Sequence, residues 1–243
     1  MDNKLGIVIV VYNIADLIQK QIECIKRFCK DDNYEIIVVD NSDKQDIIEA
    51  VSYYISELNI RYIKTKSASA YDSTSHAFAC NTSFLLIKDD YDLLFYLDHD
   101  NFPIRDFSVA NMLKDRIMAG LGQGKQKSYF WPGCVMWNNS IIDKSLIDFS
   151  VNREFGLDTG GNLYKVIEQY GKDICIFFNE KYYENDLFPT TFYNFYATIN
   201  DDMFMHFINS SNWNKTIDNK GRISTLLHIL EGKINEESVN NGD

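Results

Sequence analysis

The chain has no run of about 18 consecutive apolar residues, which rules out a transmembrane helix read from hydropathy. Basic residues are scarce: 24 Lys and Arg against 35 Asp and Glu leave a net charge of −11. Nucleic acid is thereby disfavoured as a partner, because it requires a basic surface. The five cysteines, Cys24, Cys29, Cys80, Cys134 and Cys175, are odd in number, scattered, and never spaced Cys-x-x-Cys. A disulfide framework and a zinc site are both unexpected; buried free thiols are the expectation. The opening Met1-Asp2-Asn3-Lys4 has neither a basic region nor a cleavage site, so the expected location is the cytoplasm, free or peripheral to a membrane. No basic amphipathic helix suggests surface binding. Asn-x-Ser/Thr triplets such as Asn81-Thr82-Ser83 then count as chance in an Asn-rich chain.

What is present reads as one globular unit. The length of 243 residues and an apolar fraction of 45% allow a sizeable core. Apolar runs at Leu5–Val11 and Leu93–Leu97 predict buried strands, as does Glu35–Val39, and Ile60–Ile63 predicts a short third strand. Between them, apolar residues at helical spacing predict helices over 15–30, 44–58 and 73–88, the last with an Ala77/Phe78/Phe84/Leu85 face. Strands alternating with helices imply an α/β fold with a mostly parallel central sheet flanked by helices. The second half is less regular. It predicts strand character over 129–137, a glycine-rich turn at 156–161, a helix over 162–170, strands near 174–178 and 203–208, and a terminal helix over 222–231. Residues 177–196 hold nine aromatics, expected to serve core packing, with Tyr182 and Tyr183 as the exposed candidates for stacking on a ligand ring. No linker, repeat or low-complexity segment occurs. One domain over 1–235 is expected, with a first half at 1–104, a second half at 105–235, and a disordered tail at 236–243.

The most informative stretch is Asp92 to Pro103. The apolar run stops at Asp98-His99-Asp100, and Pro103 is expected to prevent the strand from continuing. Two carboxylates just past the carboxyl end of an interior strand lie where open α/β sheets bind ligands. Such hard oxygen ligands suit a divalent cation that also holds substrate phosphates. A local cation also solves the problem an acidic chain has with an anionic substrate. The plain alternative is a capping Asp pair in a tight turn. A second triplet, Asp90-Tyr91-Asp92, precedes the strand and reads as a solvated acidic turn. Tyr12-Asn13 and Asp40-Asn41 end two further strands, so parallel strands place three polar segments on one edge.

These residues resemble a family. Ile7-Val8-Ile9-Val10-Val11-Tyr12-Asn13, Ile36-Ile37-Val38-Val39-Asp40-Asn41-Ser42, His76-Ala77-Phe78-Ala79-Cys80-Asn81, and Leu97-Asp98-His99-Asp100 followed by Phe102-Pro103 are similar in order and spacing to nucleotide-sugar glycosyltransferases of the GT-A fold, most of all the inverting family-2-like enzymes. The likeness covers residues 5–104. Beyond it, Gly133-Cys134-Val135-Met136 and Asp158-Thr159-Gly160-Gly161 match in outline.

The resemblance implies a single GT-A, Rossmann-like domain that moves a sugar from a UDP-sugar to a hydroxyl of a glycan or lipid-linked acceptor, with inversion. The nucleotide would meet Val11, Tyr12, Asn13, Asp40, Asn41, Asp98 and His99, with Asp40 accepting from the uracil NH. Asp98 and Asp100 would bind the cation. A late histidine, His206, would complete its shell, and imidazole beside carboxylates would favour Mn²⁺ over Mg²⁺. Relatives often carry an Arg near the diphosphate in the region of 64–76. Here only Lys64, Lys66 and His76 stand there, and Asn209, Ser210 and Ser211 are added donors. Asp158 is the candidate general base, with Glu154, Asp201 and Asp202 as fallbacks, since inversion needs a carboxylate to take the acceptor proton. Trp131, Gly133, Gly160 and Gly161 are candidate contacts to the donor or acceptor sugar. Each has a plainer reading: Asp40 and Asp158 as helix caps, His206 as a structural residue, Trp131 as packing. Lys125 and Lys127 form a basic loop, read as a surface turn in preference to a phosphate lid. Two alternatives stay open: a nucleotidyltransferase that makes a nucleotide-sugar, disfavoured by a first loop with neither Gly nor base, and a non-catalytic nucleotide- or glycan-binding module.

Overall fold

The structure is a computed structural model and describes residues 3–66, 73–184, 195–208 and 219–240. The first half alternates as expected: β1 (Leu5–Val11), α1 (Asp16–Phe28), β2 (Tyr34–Asp40), α2 (Gln45–Glu57), β3 (Arg61–Lys64), α3 (Ser73–Ile87) and β4 (Leu93–Asp98). Then follow β5 (Asn101–Pro103), α4 (Val109–Met112), β6 (Met118–Gln123), β7 (Tyr129–Asn138), α5 (Tyr164–Tyr170), β8 (Cys175–Phe178), β9 (Glu180–Tyr183), β10 (Tyr196–Ile199), β11 (Phe204–His206) and α6 (Asn219–Asn240).

Seven strands form the central sheet in the order β3-β2-β1-β4-β7-β6-β8. All neighbours are parallel except that β7 runs antiparallel to β4 and β6. The fold is thus α/β with a mostly parallel sheet, and every residue of β1 is buried because helices cover both faces. Alternation along each strand divides the core. Ile7, Ile9 and Val11 with Leu93, Phe95 and Leu97 pack toward α1, the aromatics of β11 and α6. Val8, Val10, Leu94 and Tyr96 pack toward α3 and α5. A four-stranded antiparallel sheet, β5-β11-β10-β9, flanks the first of these layers.

The structure corrects several expectations. Pro103 does not end strand structure; it lies in β5, an edge strand, where a missing N–H costs no ladder bond. β6 was not legible, since Met-Ala-Gly-Leu-Gly-Gln lacks β-branched residues; its pairing with β7 and β8 imposes the strand. On α3, Phe78 and Leu85 point outward, 40% and 65% exposed. The small residues Ser75, Ala79, Cys80 and Ser83 line the buried face instead, bringing the helix close to the sheet. α6 continues to Asn240, so 236–240 are helical and not a disordered tail. Among the described residues, no helix is long and apolar enough to cross a membrane. All five cysteines are buried thiols, and burial pushes Cys24 and Cys29 up to about 12, which keeps them unreactive. Asn209, Ser210 and Ser211, expected as added donors, lie outside the described residues.

Candidate active site

The carboxyl ends of β1, β2 and β4 meet at one edge, as parallel strands require, but the two acidic strand ends face opposite ways. Asp40 pairs in register with Val11, and Asp98 with Val10. Since Val11 and Val10 belong to opposite sheet faces, so do the two carboxylates.

Asp40 is fully buried. One carboxylate oxygen accepts the Ser42 amide at 2.8 Å, the other the Tyr62 hydroxyl at 2.7 Å. Lys64 donates to the carbonyls of Asp40, Ser42 and Thr65, which makes it a clamp on this loop and not a phosphate contact. Asn13, at φ 52°, donates its amide N–H to Ser42 Oγ and its side-chain amide to Asp43, and accepts the amides of Asp43 and Lys44. It thereby ties down the loop that leads into α2. Asn41 joins Ser75 and Thr65. Asp40 as built organises the loop, and only a rearrangement of Tyr62 would turn it toward a base. Val11 is buried in β1 and receives the Asn41 amide at its carbonyl; Tyr12 follows, half-buried.

Asp98, His99 and Asp100 occupy the tight turn between β4 and β5. Gln21, fully buried on α1, holds both ends of it: its side-chain amide donates to the Asp98 carbonyl at 2.7 Å and the Asn101 carbonyl at 2.6 Å. Asp98 forms an ion pair with His76 of α3 at 2.8 Å. Burial disfavours the His76 imidazolium, but the Asp98 charge outweighs it and holds the ring protonated well above the usual histidine range. Burial likewise opposes the Asp98 carboxylate, and His76, with His99 and His206 behind it, brings it below the usual range. His99 Nδ1 lies 3.1 Å from the Val10 carbonyl and so carries the proton. His206 reaches the turn because β11 pairs with β5, setting His206 opposite Asn101 and the Phe207 amide on the Asp100 carbonyl at 2.8 Å. His206 Nε2 lies 3.8 Å from Asp100 Oδ1, and its ring packs on Trp131 at 4.9 Å.

The site's chemistry fits a divalent cation whose shell a substrate completes. Among the described residues, His99 Nε2, Asn101 Oδ1 and His206 Nδ1 are buried with no hydrogen-bond partner, beside the nearly buried Asp100. Asp98, Asp100 and His206 are nevertheless not assembled as a three-ligand cage: no cluster of three or more His, Cys, Asp or Glu side chains able to hold a metal occurs among the described residues. Asp98 is paired with His76, so Asp100 and His206 are the side chains of this turn that could hold one. One or two protein ligands with substrate phosphates is the usual provision for Mg²⁺.

Two residues of this site were missed in the sequence. Gln21 had a readable signal, a polar side chain in the apolar stripe Leu17, Ile18, Ile22, Ile25. Gln21→Leu should destabilise the fold by about 1–3 kcal/mol, because two buried carbonyls lose their donor. It should also weaken Mn²⁺-dependent nucleotide binding; a melting curve with and without Mn²⁺ measures both. Arg222 had no such signal. It is 1% exposed on α6, within electrostatic reach of Asp100, and donates to the carbonyls of Phe195 and Ile208. Arg222→Met should cost on the order of 2–3 kcal/mol for these charge-assisted bonds. Added Mn²⁺ should raise the melting temperature more in this variant than in the parent, since Asp100 has lost a compensating charge. An equal Mn²⁺ effect in both proteins would show that Arg222 and a cation do not share that carboxylate.

Asp158 is exposed beside this region. Its amide donates to the Tyr129 hydroxyl at 3.3 Å, and one carboxylate oxygen accepts the Thr159 amide at 2.8 Å. Thr159 in turn donates its hydroxyl to the Ser73 carbonyl, at the start of the helix that bears His76. Gly160 and Gly161 serve packing and not close substrate approach. Gly160 is at φ +82°, and a Cβ there would stand 2.5 Å from the Phe130 carbonyl; Gly161 donates its amide to the Asp158 carbonyl. Gly133 lies under Trp131, where a Cβ would come within 2.2 Å of the indole, and its carbonyl accepts Asn101. Lys127 pairs with Glu168 and covers Phe155 and Tyr164, so it is tied down, not a lid.

No protein-family profile matches the chain, and no curated protein matches it in sequence. Solved structures do. The chain is similar to the mannosyltransferase PcManGT from Pyrobaculum calidifontis in complex with GDP-Man and Mn²⁺, at 13% identity and a TM-score of 0.55, over 79% of this chain and 59% of that one. It is also similar to the galactosyltransferase LgtC in complex with donor and acceptor sugar analogs (15% identity, TM-score 0.44, 71% and 72%), and to the bifunctional glycosyltransferase WbbM in its apo form (14%, 0.43, 73% and 39%). The chain spans about three fifths of PcManGT. The fold it shares with PcManGT is the GT-A fold.

Proposed function

We propose that this protein is a glycosyltransferase that uses a nucleotide-sugar, with a UDP-sugar as donor and a hydroxyl of a glycan or lipid-linked molecule as acceptor, the anomeric centre being inverted. One observation carries the reading: on a GT-A fold, the turn after β4 and the end of β11 bring Asp100 and His206 together among buried polar atoms that lack partners. Asp100 and His206 would hold Mn²⁺ or Mg²⁺, which when bound supplies Lewis-acid stabilisation to a departing diphosphate. Asp98, locked by His76, and Gln21 keep the turn in shape. Val11, Tyr12, Asn13, Asn41 and the Asp40 loop form the floor for the nucleoside. Asp158 takes the proton of the acceptor hydroxyl as that oxygen bonds to the anomeric carbon and the bond to phosphate breaks. Trp131 confines His206 and borders the sugar.

The test is a panel of UDP- and GDP-sugars scored for nucleoside-diphosphate release with and without Mn²⁺, together with calorimetry of UDP and GDP. Mn²⁺-dependent UDP affinity and release support the reading in full. GDP in place of UDP keeps the reaction and changes the base. Nucleotide affinity with no release or transfer across a broad acceptor panel identifies a binding module. No nucleotide affinity at all ends the proposal.

A further inference from the structure

Away from the β4 turn, the β6–β7 hairpin, the 155–157 turn and β9 enclose an open cleft of about 560 Å³, a volume typical of small-molecule sites. Its floor is partly bare backbone at Gly122, Gly124 and Gly156, and its walls carry Gln123, Phe155, Glu180 and Tyr182. Tyr182 is 52% exposed, a large aromatic surface to leave to water. Its hydroxyl donates to one oxygen of Glu180, which turns that carboxylate into part of the wall. Gln123 accepts the Tyr129 hydroxyl at 2.8 Å, leaving its NH₂ group to donate.

This lining discriminates. Aromatic faces receive the C–H face of a ring, while an amide and a carboxylate receive its hydroxyls. An apolar ligand would strand Gln123 and Glu180, and an anionic one would meet the Glu180 charge even though Lys125 also lines the cleft. A neutral sugar ring satisfies both sets.

The position of the cleft gives it a use. Tyr129 and Leu157 line it, and the Tyr129 hydroxyl takes the amide of Asp158, the next residue in the chain. In the small sheet, Tyr182 stands opposite Ala197, Ala197 opposite His206, and His206 opposite Asn101. Directly opposed residues share a face, so Tyr182 and His206 lie on one face, two strand spacings or ~10 Å apart. A disaccharide can bridge that interval.

We propose that this cleft is the acceptor subsite, and that it holds a neutral sugar ring stacked on Tyr182. The assignment to an acceptor rests on the glycosyl-transfer reading; the affinity for a sugar does not. Saturation-transfer NMR with methyl glycosides of glucose, galactose, mannose and N-acetylglucosamine tests it, on the parent, Tyr182→Phe and Tyr182→Ala. Because Tyr182 is at the surface, its variants fold. At least one glycoside should show transfer from the aromatic protons, Tyr182→Phe should keep it, and Tyr182→Ala should weaken affinity about tenfold. Sugar binding of this pattern in a protein that binds no nucleotide would leave the subsite standing and remove the transferase. Absence of transfer to every glycoside overturns the subsite. So does a tenfold loss of UDP affinity in Tyr182→Ala, which would put the cleft on the donor side.

Discussion

Asp100→Asn should cut Mn²⁺-dependent turnover by about 10²–10³-fold, the usual cost of removing one preorganised electrostatic contact from a reacting centre. The substitution is nearly isosteric. The main-chain link that sets the turn, Phe207 N–H to the Asp100 carbonyl, does not involve the side chain. What disappears is a negative charge on a residue only 3% exposed, 3.8 Å from His206. Loss of function in a variant that still folds therefore reports on that charge and not on unfolding. Calorimetry should show the Mn²⁺-dependent part of UDP affinity falling in parallel. Asp98→Asn should behave differently, because Asp98 is paired with His76: stability should drop along with activity. If Asp100→Asn keeps turnover within tenfold of the parent, no cation acts through this carboxylate.

Asp158→Ala should lower kcat by about 10²–10⁴-fold, the span of general-base assistance, with little change in the KM for donor. Among the described residues the exposed carboxylate has one hydrogen bond, from the Thr159 amide, so its removal leaves the loop held by Gly160 on Phe149, Gly161 on the Asp158 carbonyl, and Thr159 on Ser73. Asp158→Asn should be as slow, since the amide cannot take a proton. A fall of less than tenfold removes Asp158 from the mechanism. Glu154, exposed on the same loop, is then the next carboxylate to replace.

The buried strands were legible because a parallel strand covered on both faces has no polar side to interrupt it. β1 begins and ends at Leu5 and Val11, as its apolar run does, and β4 extends the run Leu93–Leu97 by Asp98 alone. The same logic selected Asp98 and Asp100 over Asp90 and Asp92. At the opposite end of the strand, Asp90 forms an exposed pair with Arg61, and Asp92 accepts the Lys4 amide. Two strands without that continuous pattern, β5 and β6, were among those lost. β6 is held by its neighbours, and β5 was dismissed for a proline that an edge strand tolerates.

Partners could not be read in the same way. Asp40 was expected to await a ligand and instead carries Tyr62 and Ser42; Lys64 was a phosphate candidate and instead holds three carbonyls. Composition and periodicity settled an α/β chain with an acidic turn at a sheet's carboxyl edge, because burial and spacing are local properties that each segment carries within itself. Which face Asp40 and Asp98 occupy, that Gln21 grips the turn from α1, and that His206 and Arg222 arrive from beyond residue 200 were decided by the assembled sheets. Such contacts depend on strand register and helix docking between segments far apart in the chain, and no window of sequence contains both ends of them.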